Sequence, residues 1–298
     1  MTSDDLSHKY LRGVPVRNRI LDEVKQQIDA LNAKSPVGTL VSIMIGDVEE
    51  VAVYIRGQKT AADRAGIPFR EEHWPGDISA KEAKARLVAM NDDPSIIGVI
   101  LQRPIPAHLN IRSLQGAIHP LKDVEGMNPA SIGNIIYNDV ALAPCTAAAS
   151  VELLKEARGD LKGMEVVMIG HSEIVGKPAA SLLMAEGATV TVCHHMTRSV
   201  AMHSRRAEAI LVAVGKPKLV TADMVMPGAV VIDIGINYIP DTDGGGKGRI
   251  VGDADTDEVA KVAGWITPVP GGVGPVTTAM LMRNALNAVN KQRALGWV

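Results

Sequence analysis

Aromatic side chains are nearly missing from this chain: they make up 3% of its 298 residues, with a single phenylalanine. Any core it builds is therefore aliphatic. Cysteine is almost as rare. Cys145 and Cys193 are the only two, too few for a disulfide framework in a chain this long, and the expected setting is a reducing compartment. Neither sign of charge dominates. With 31 basic against 33 acidic residues the net charge is -2, and no long run of Lys or Arg offers the footprint that binding to a phosphate backbone requires. Long apolar runs are absent too, since no stretch approaches the roughly 18 uninterrupted apolar residues of a membrane span. Residues 1–13 are polar and mixed in charge, without the apolar segment of a secretory signal. These absences lead us to expect a soluble cytoplasmic protein with neither nucleic acid nor membrane as partner.

What is abundant is aliphatic and small. Hydrophobic residues make up 46% of the chain and charged ones 21%, enough for one large core or two modest ones. The apolar residues come as short continuous Val/Ile runs at 39–45, 96–101, 166–169, 189–193, 209–214 and 229–234. Strands buried on both faces of a parallel sheet read this way, whereas half-exposed strands alternate. Helical patterns fall between them at 49–65, 80–91, 147–158, 177–186 and 276–290. Alternation of strand and helix predicts an α/β fold with a mainly parallel sheet. Four strands crowd into 163–237 while the first 145 residues hold two clear ones, so two domains with a boundary near residue 147 are expected. The Gly-rich segment 244–248 reads as a flexible surface loop.

Several segments suit a ligand. Gly170-His171-Ser172-Glu173-Ile174-Val175-Gly176 links a strand to a helix, where small residues allow a tight turn and a helix start presents free N–H groups to a pyrophosphate. Ser172 replaces the second glycine of the usual dinucleotide fingerprint, so a plain turn is an equal reading. The next strand ends in Cys193-His194-His195, where a dinucleotide fold reads the ribose. A metal site there is not expected, because no third ligand is spaced nearby. Tyr54 and Gln58 are four apart on one helix and share a face; for Tyr54 alone, a place in the core is the simpler reading. Gln102 ends a buried strand, the end at which ligands collect in open α/β sheets. Asp123 lies in Pro120-Leu121-Lys122-Asp123-Val124-Glu125-Gly126, which also reads as a surface turn. Three prolines and three glycines crowd into the nine residues 267–275, a rigid turn or a preformed wall for a planar ligand.

Taken together and in this order, 267–281, 167–183, 122–126 and 231–237 resemble the methylenetetrahydrofolate dehydrogenase/cyclohydrolase family, the FolD proteins, over nearly the whole chain. The resemblance implies a folate-binding α/β domain at 1–146, completed by a C-terminal helix at 275–298. It also implies a Rossmann-like parallel-sheet NAD(P) domain at 147–274, a cleft between the two, and a homodimer. It assigns the catalytic positions to Tyr54, Gln58, Gln102 and Asp123. Folate binding falls to Tyr54, Asp123, Pro270, Gly271, Gly272 and Val273. NADP or NAD falls to Gly170, His171, Ser172, Ile174, Val175, Gly176, His195, Gly215 and Ile236, with no metal.

The departures carry chemistry. Ungapped alignment on Gly46-Asp47 and Gly66-Ile67 puts Gln58 where the family has lysine and Val51 where it commonly has serine. Lys59 is one residue on and points about 100° away. His171 and His195 stand where many members have arginine and serine, so both NADP and NAD remain as expected cofactors. Hydride removal from methylenetetrahydrofolate leaves a cation stabilised by two nitrogen lone pairs and needs no general base. Hydrolysis of the methenyl cation moves protons on and off oxygen and nitrogen, and an amide cannot titrate. The leading expectation is a dehydrogenase with weak or missing cyclohydrolase activity. An ordinary bifunctional enzyme and a catalytically silent folate-binding paralogue are its rivals.

Overall fold

The computed structural model describes residues 3–240 and 248–297, so most of the Gly-rich segment 244–248 lies outside the described residues. In chain order the first half carries α1 (Gly13–Asn32), β1 (Thr39–Ile45), α2 (Glu49–Ala65), β2 (Phe69–Trp74), α3 (Ala80–Asp92), β3 (Ile96–Leu101), α4 (Ile111–Gln115) and α5 (Pro129–Ile136). The second half carries α6 (Cys145–Arg158), β4 (Glu165–Ile169), α7 (Gly176–Ala185), β5 (Thr189–Cys193), α8 (Val200–Ser204), β6 (Ala209–Val212) and β7 (Val230–Asp233). It ends with β8 (Asn237–Ile239), β9 (Arg249–Val251), α9 (Thr256–Val262), β10 (Trp265–Ile266) and α10 (Val273–Ala294).

The chain divides into two compact units, one of residues 18–145 with 278–298, the other of residues 1–17 with 146–277. Residues up to Arg17 thus belong with the second unit, not with the first domain where the sequence placed them. The reason is backbone pairing: Leu11 N–H donates to Ile266 O at 2.8 Å and Gly13 N–H to Gly271 O at 2.9 Å. Leu6 also joins the core under that unit's sheet.

In the unit of 18–145 and 278–298, the sheet order is β2-β1-β3, all parallel. Successive side chains of a strand face opposite ways. Val41, Ile43 and Ile45 of β1 accordingly pack with Ala83 and Leu87 of α3 and Leu114 of α4, while Met44 packs on the other face with Val51 and Ile55 of α2. Helix α3 starts where Ser79 Oγ accepts the Glu82 N–H at 3.1 Å, a serine N-cap with glutamate three residues on. The C-terminal helix is stitched to this unit by side-chain amides. Asn284 Nδ2 donates to Val124 O and Ala143 O at 2.9 and 2.8 Å, and Gln292 Nε2 donates to Ile97 O and Leu121 O, both at 2.8 Å.

The other unit holds five parallel strands in the order β10-β7-β6-β4-β5. The chain leaves β4 to one side for β5 and then crosses to the other for β6, so the order reverses between β4 and β6. A crevice at the carboxyl ends of the two strands flanking such a reversal is where doubly wound sheets bind ligands.

Candidate active site

The polar cluster in the first unit grows out of the alternation along β1. Ser42 falls on the face that α2 covers, fully buried among aliphatics, and so requires a partner. Gln102, just past the end of β3, supplies it. Its backbone N–H donates to Ile43 O at 3.0 Å, and its Nε2 donates to Ser42 Oγ at 2.9 Å and to Gln58 Oε1 at 2.6 Å. Gln58 continues the inward stripe of α2 begun by Val51 and Ile55, both no more than 2% exposed. Val51 is therefore core. Lys59 instead points toward β2, with Nζ 3.8 Å from Glu71 Oε1. Tyr54 is 63% exposed, which overturns the simpler expectation of a core tyrosine and leaves its ring open to a planar ligand.

Asp123 is not a surface turn residue. It is 3% exposed, and its Oδ2 accepts the Asn128 N–H at 2.6 Å and the Ser131 hydroxyl at 2.7 Å. Burial pushes its carboxyl above the usual range, against the pull of these donors. Nearby Glu125 accepts the Leu101 N–H at 2.9 Å. Desolvation raises its carboxyl to about 7, opposed by the Arg103 charge. A carboxyl raised in the fold destabilises it once ionised, and the penalty fades as pH falls from above about 7 toward the ordinary 4.5. Glu125→Gln is therefore expected to stabilise the protein by about 2–3 kcal/mol more near pH 8.5 than near pH 4.5. Melting curves across that range check it, and a pH-independent difference refutes it.

In the second unit, the segment 170–176 lies at the carboxyl end of β4. Gly170 has φ 116°, and a Cβ there would run into Ala213 O at the end of β6. A Cβ on Gly176 would likewise strike the Gly170 carbonyl. Ser172 Oγ accepts the N–H groups of Val175 and Gly176 at 3.2 and 3.3 Å, opening α7. His171, Ser172 and Ile174 are exposed around this turn, as are Gly215 past β6 and Ile236 past β7. A close-packed turn at a helix start, placed at the reversal of strand order, fits the pyrophosphate of a dinucleotide. Farther along this unit, Pro270 is exposed, Gly271 is half-buried, and Gly272 and Val273 are buried at the start of α10.

The expectation that no third ligand accompanies His194 and His195 is corrected here. In parallel register Ile169 of β4 sits opposite Cys193 of β5, and Gly170 N–H donates to Cys193 O at 2.8 Å. The two strands therefore release His171 and His194 side by side. Their rings stack with centroids 4.4 Å apart, and the His195 ring lies 5.7 and 5.8 Å from those of His171 and His194. Partial desolvation, then the neighbouring His194, His195 and Lys177, hold the His171 imidazole below its ordinary pKa.

Sequence reasoning missed Asp253, fully buried just after β9. Its carboxylate accepts three consecutive backbone N–H groups beyond β6: Val214 at 2.6 Å, Gly215 at 3.0 Å and Lys216 at 2.8 Å. Asn237 Nδ2 donates to it as well, at 2.9 Å. Beside it Asp233 accepts the N–H groups of Gly235, Asp253 and Ala254, and burial raises its carboxyl to about 6. Asp253 fixes the turn at 214–216 through the backbone. The segment Gly252-Asp253-Ala254-Asp255 looks like any polar turn, and no spacing betrays this role.

Comparison with known proteins supplies the family. Residues 11–125 match the model of the tetrahydrofolate dehydrogenase/cyclohydrolase catalytic domain, and residues 144–293 match that of the same family's NAD(P)-binding domain. The bifunctional protein FolD 3 of Roseobacter denitrificans is 66% identical over 97% of this chain and 98% of its own. Among solved structures, the bifunctional FolD methylenetetrahydrofolate dehydrogenase/cyclohydrolase of Campylobacter jejuni is 35% identical with a TM-score of 0.88, covering 95% of this chain and 99% of its own. The Trypanosoma brucei enzyme, complexed with NADP cofactor and inhibitor, is 31% identical with a TM-score of 0.87, covering 95% of this chain and 98% of its own. The two matched domains, the reversal of strand order above the Gly170 turn and these full-length relatives agree: the chain belongs to the tetrahydrofolate dehydrogenase/cyclohydrolase family.

Proposed function

We propose that this protein oxidises 5,10-methylenetetrahydrofolate to 5,10-methenyltetrahydrofolate with NAD(P) as hydride acceptor, and that its hydrolysis of the methenyl product is weak. The observation that carries the second half is the 2.6 Å bond from Gln102 Nε2 to Gln58 Oε1. It holds a neutral amide at the position where the resemblance implies a titratable lysine, while Lys59 is turned toward Glu71. Gln58 holds geometry through this bond and has no proton to exchange near neutral pH.

In this reading Tyr54 offers its exposed ring to the folate and Gln102 orients Gln58. Asp123 and the segment Pro270, Gly271, Gly272 and Val273 hold the substrate. The nicotinamide, when bound, takes up the hydride. Gly170, Ser172, Ile174, Val175 and Gly176 position the nucleotide, with His171, His195, Gly215 and Ile236 around it. Ring nitrogens of the substrate stabilise the product cation, so the protein's contribution to oxidation is orientation. A homodimer belongs to the same reading. So does a cytoplasmic setting, supported by two buried free thiols, Cys145 and Cys193; no helix among the described residues is long and apolar enough to cross a membrane.

Asp123→Asn separates the two tasks of that carboxylate. An amide cannot accept from every donor that Asp123 now satisfies, so stability should fall by about 1–3 kcal/mol. If the carboxylate also binds the pterin's amino and ring N–H groups, the folate KM rises far more than the nucleotide KM in protein still folded at the assay temperature. Equal changes in the two KM values would leave Asp123 a purely structural group.

The deciding experiment is a paired assay on purified protein, following cofactor reduction and methenyltetrahydrofolate decay separately. Oxidation with slow decay is expected. Comparable rates would make the protein an ordinary bifunctional enzyme, as its relatives are named, and no turnover of either kind would make it a silent folate binder.

A further inference from the structure

The geometry points to a metal site: His171, His194 and His195 together bind a transition-metal dication of the zinc class. One ligand atom from each ring already lies within 4.8 Å of those from the other two. Tetrahedral zinc, with Zn–N bonds of 2.0–2.1 Å, needs its nitrogens about 3.3 Å apart. Closing the remainder takes small side-chain rotations, and these are available because His171 and His195 are exposed and His194 is half-buried.

The backbone under the three rings is already set. The Ile169–Cys193 register and the Gly170 N–H to Cys193 O bond tie the ends of β4 and β5 together. His194 N–H donates to Thr197 Oγ1 at 2.9 Å, which anchors the second turn. Ligation through Nε2 of His194 moves its proton to Nδ1 and gives up one bond, from Met196 N–H at 3.2 Å, the long end of the normal range. In exchange, three imidazoles that now stack and tilt against one another share one cation.

The donor set selects the ion. Three neutral nitrogens suit zinc, cobalt, nickel or copper, whereas magnesium and calcium prefer oxygen, and no carboxylate belongs to the cluster. Three protein ligands on zinc leave one position open to water or an anion. The site requires nothing of the folate chemistry, but His171 and His195 are also proposed to lie around the nucleotide, so ion and nucleotide would compete for them, and nucleotide-free protein keeps the two readings apart.

The test uses tag-free, nucleotide-free protein with ZnCl2 and CoCl2 as probes. Equilibrium dialysis should find one Zn2+ per chain, not displaced by millimolar Mg2+. Bound Co2+ should show the intense visible bands of a four-coordinate ion. Each of His171→Ala, His194→Ala and His195→Ala should weaken zinc binding by at least about 10-fold, with melting curves confirming the fold, while His203→Ala on α8 should not. Substoichiometric zinc, displacement by Mg2+, a Co2+ spectrum like that of the aqueous ion, or affinity retained in any one of the three variants would overturn the assignment.

Discussion

Gln58→Lys is expected to raise methenyltetrahydrofolate hydrolysis by about 10²- to 10⁴-fold, the usual worth of one positioned general acid or base. The side chain at 58 lies on the inward stripe of α2 with Val51 and Ile55 and meets Gln102 at the carboxyl end of β3. A lysine there keeps a partner, because the Gln102 amide can turn its oxygen toward the ammonium. Partial burial lowers a lysine's pKa toward neutrality, where it can both accept and release a proton. Oxidation needs no such group, so kcat for cofactor reduction should move by only a few-fold. The contrast between the two rates is the diagnostic quantity, since a general loosening of the site would lower both. Hydrolysis unchanged in Gln58→Lys, or wild-type hydrolysis already as fast as oxidation, would remove Gln58 from the explanation.

The second large effect concerns Asp253. Asp253→Ala removes one acceptor from three backbone N–H groups and the Asn237 amide at once. Orphaned donors cost about 1–3 kcal/mol each where they stay buried, and the turn will relax to meet water, so the sum falls short of additive. A loss of about 3–5 kcal/mol is expected, a large share of the 5–15 kcal/mol that holds typical folds together. For a unit of this size that lowers the melting temperature by on the order of 10 °C. Asp253→Asn keeps an acceptor oxygen without the charge and should lose less. In that milder variant the nucleotide KM should rise while the folate KM holds, because the bonds run to residues 214–216 beside the reversal of strand order. It should also bring the Asp233 carboxyl down from about 6, since the Asp253 charge helps hold it up. Unaltered melting together with an unaltered nucleotide KM would make the carboxylate dispensable.

Much of this molecule is legible along the chain. The strands Thr39–Ile45, Ile96–Leu101 and Thr189–Cys193 and the helix Glu49–Ala65 occupy the expected residues. A strand covered on both faces, as β1 and β3 are, is apolar throughout, and that requirement is local enough to read. Strand β2 is not legible because Phe-Arg-Glu-Glu-His-Trp has four polar or charged residues in its middle and leaves all but Trp74 at least partly exposed. The attachment of residues 11 and 13 to Ile266 and Gly271 is not legible along the chain, because it is made of backbone hydrogen bonds, which carry no side-chain signature.

By itself the sequence determined the α/β class, the two-domain division in outline, the family and the presence of glutamine at position 58. Each follows from local runs, from spacings within a motif, or from the identity of one residue. Only the tertiary structure decided that Gln58 meets Gln102 while Lys59 meets Glu71, that Asp253 holds a turn 37–39 residues before it, and that His171 joins a histidine pair 23 residues away. In each case the partners sit on different elements and only packing joins them: α2 covers the β1 face that carries Ser42, the segment after β9 returns to the end of β6, and the parallel register of β4 and β5 sets His171 beside His194.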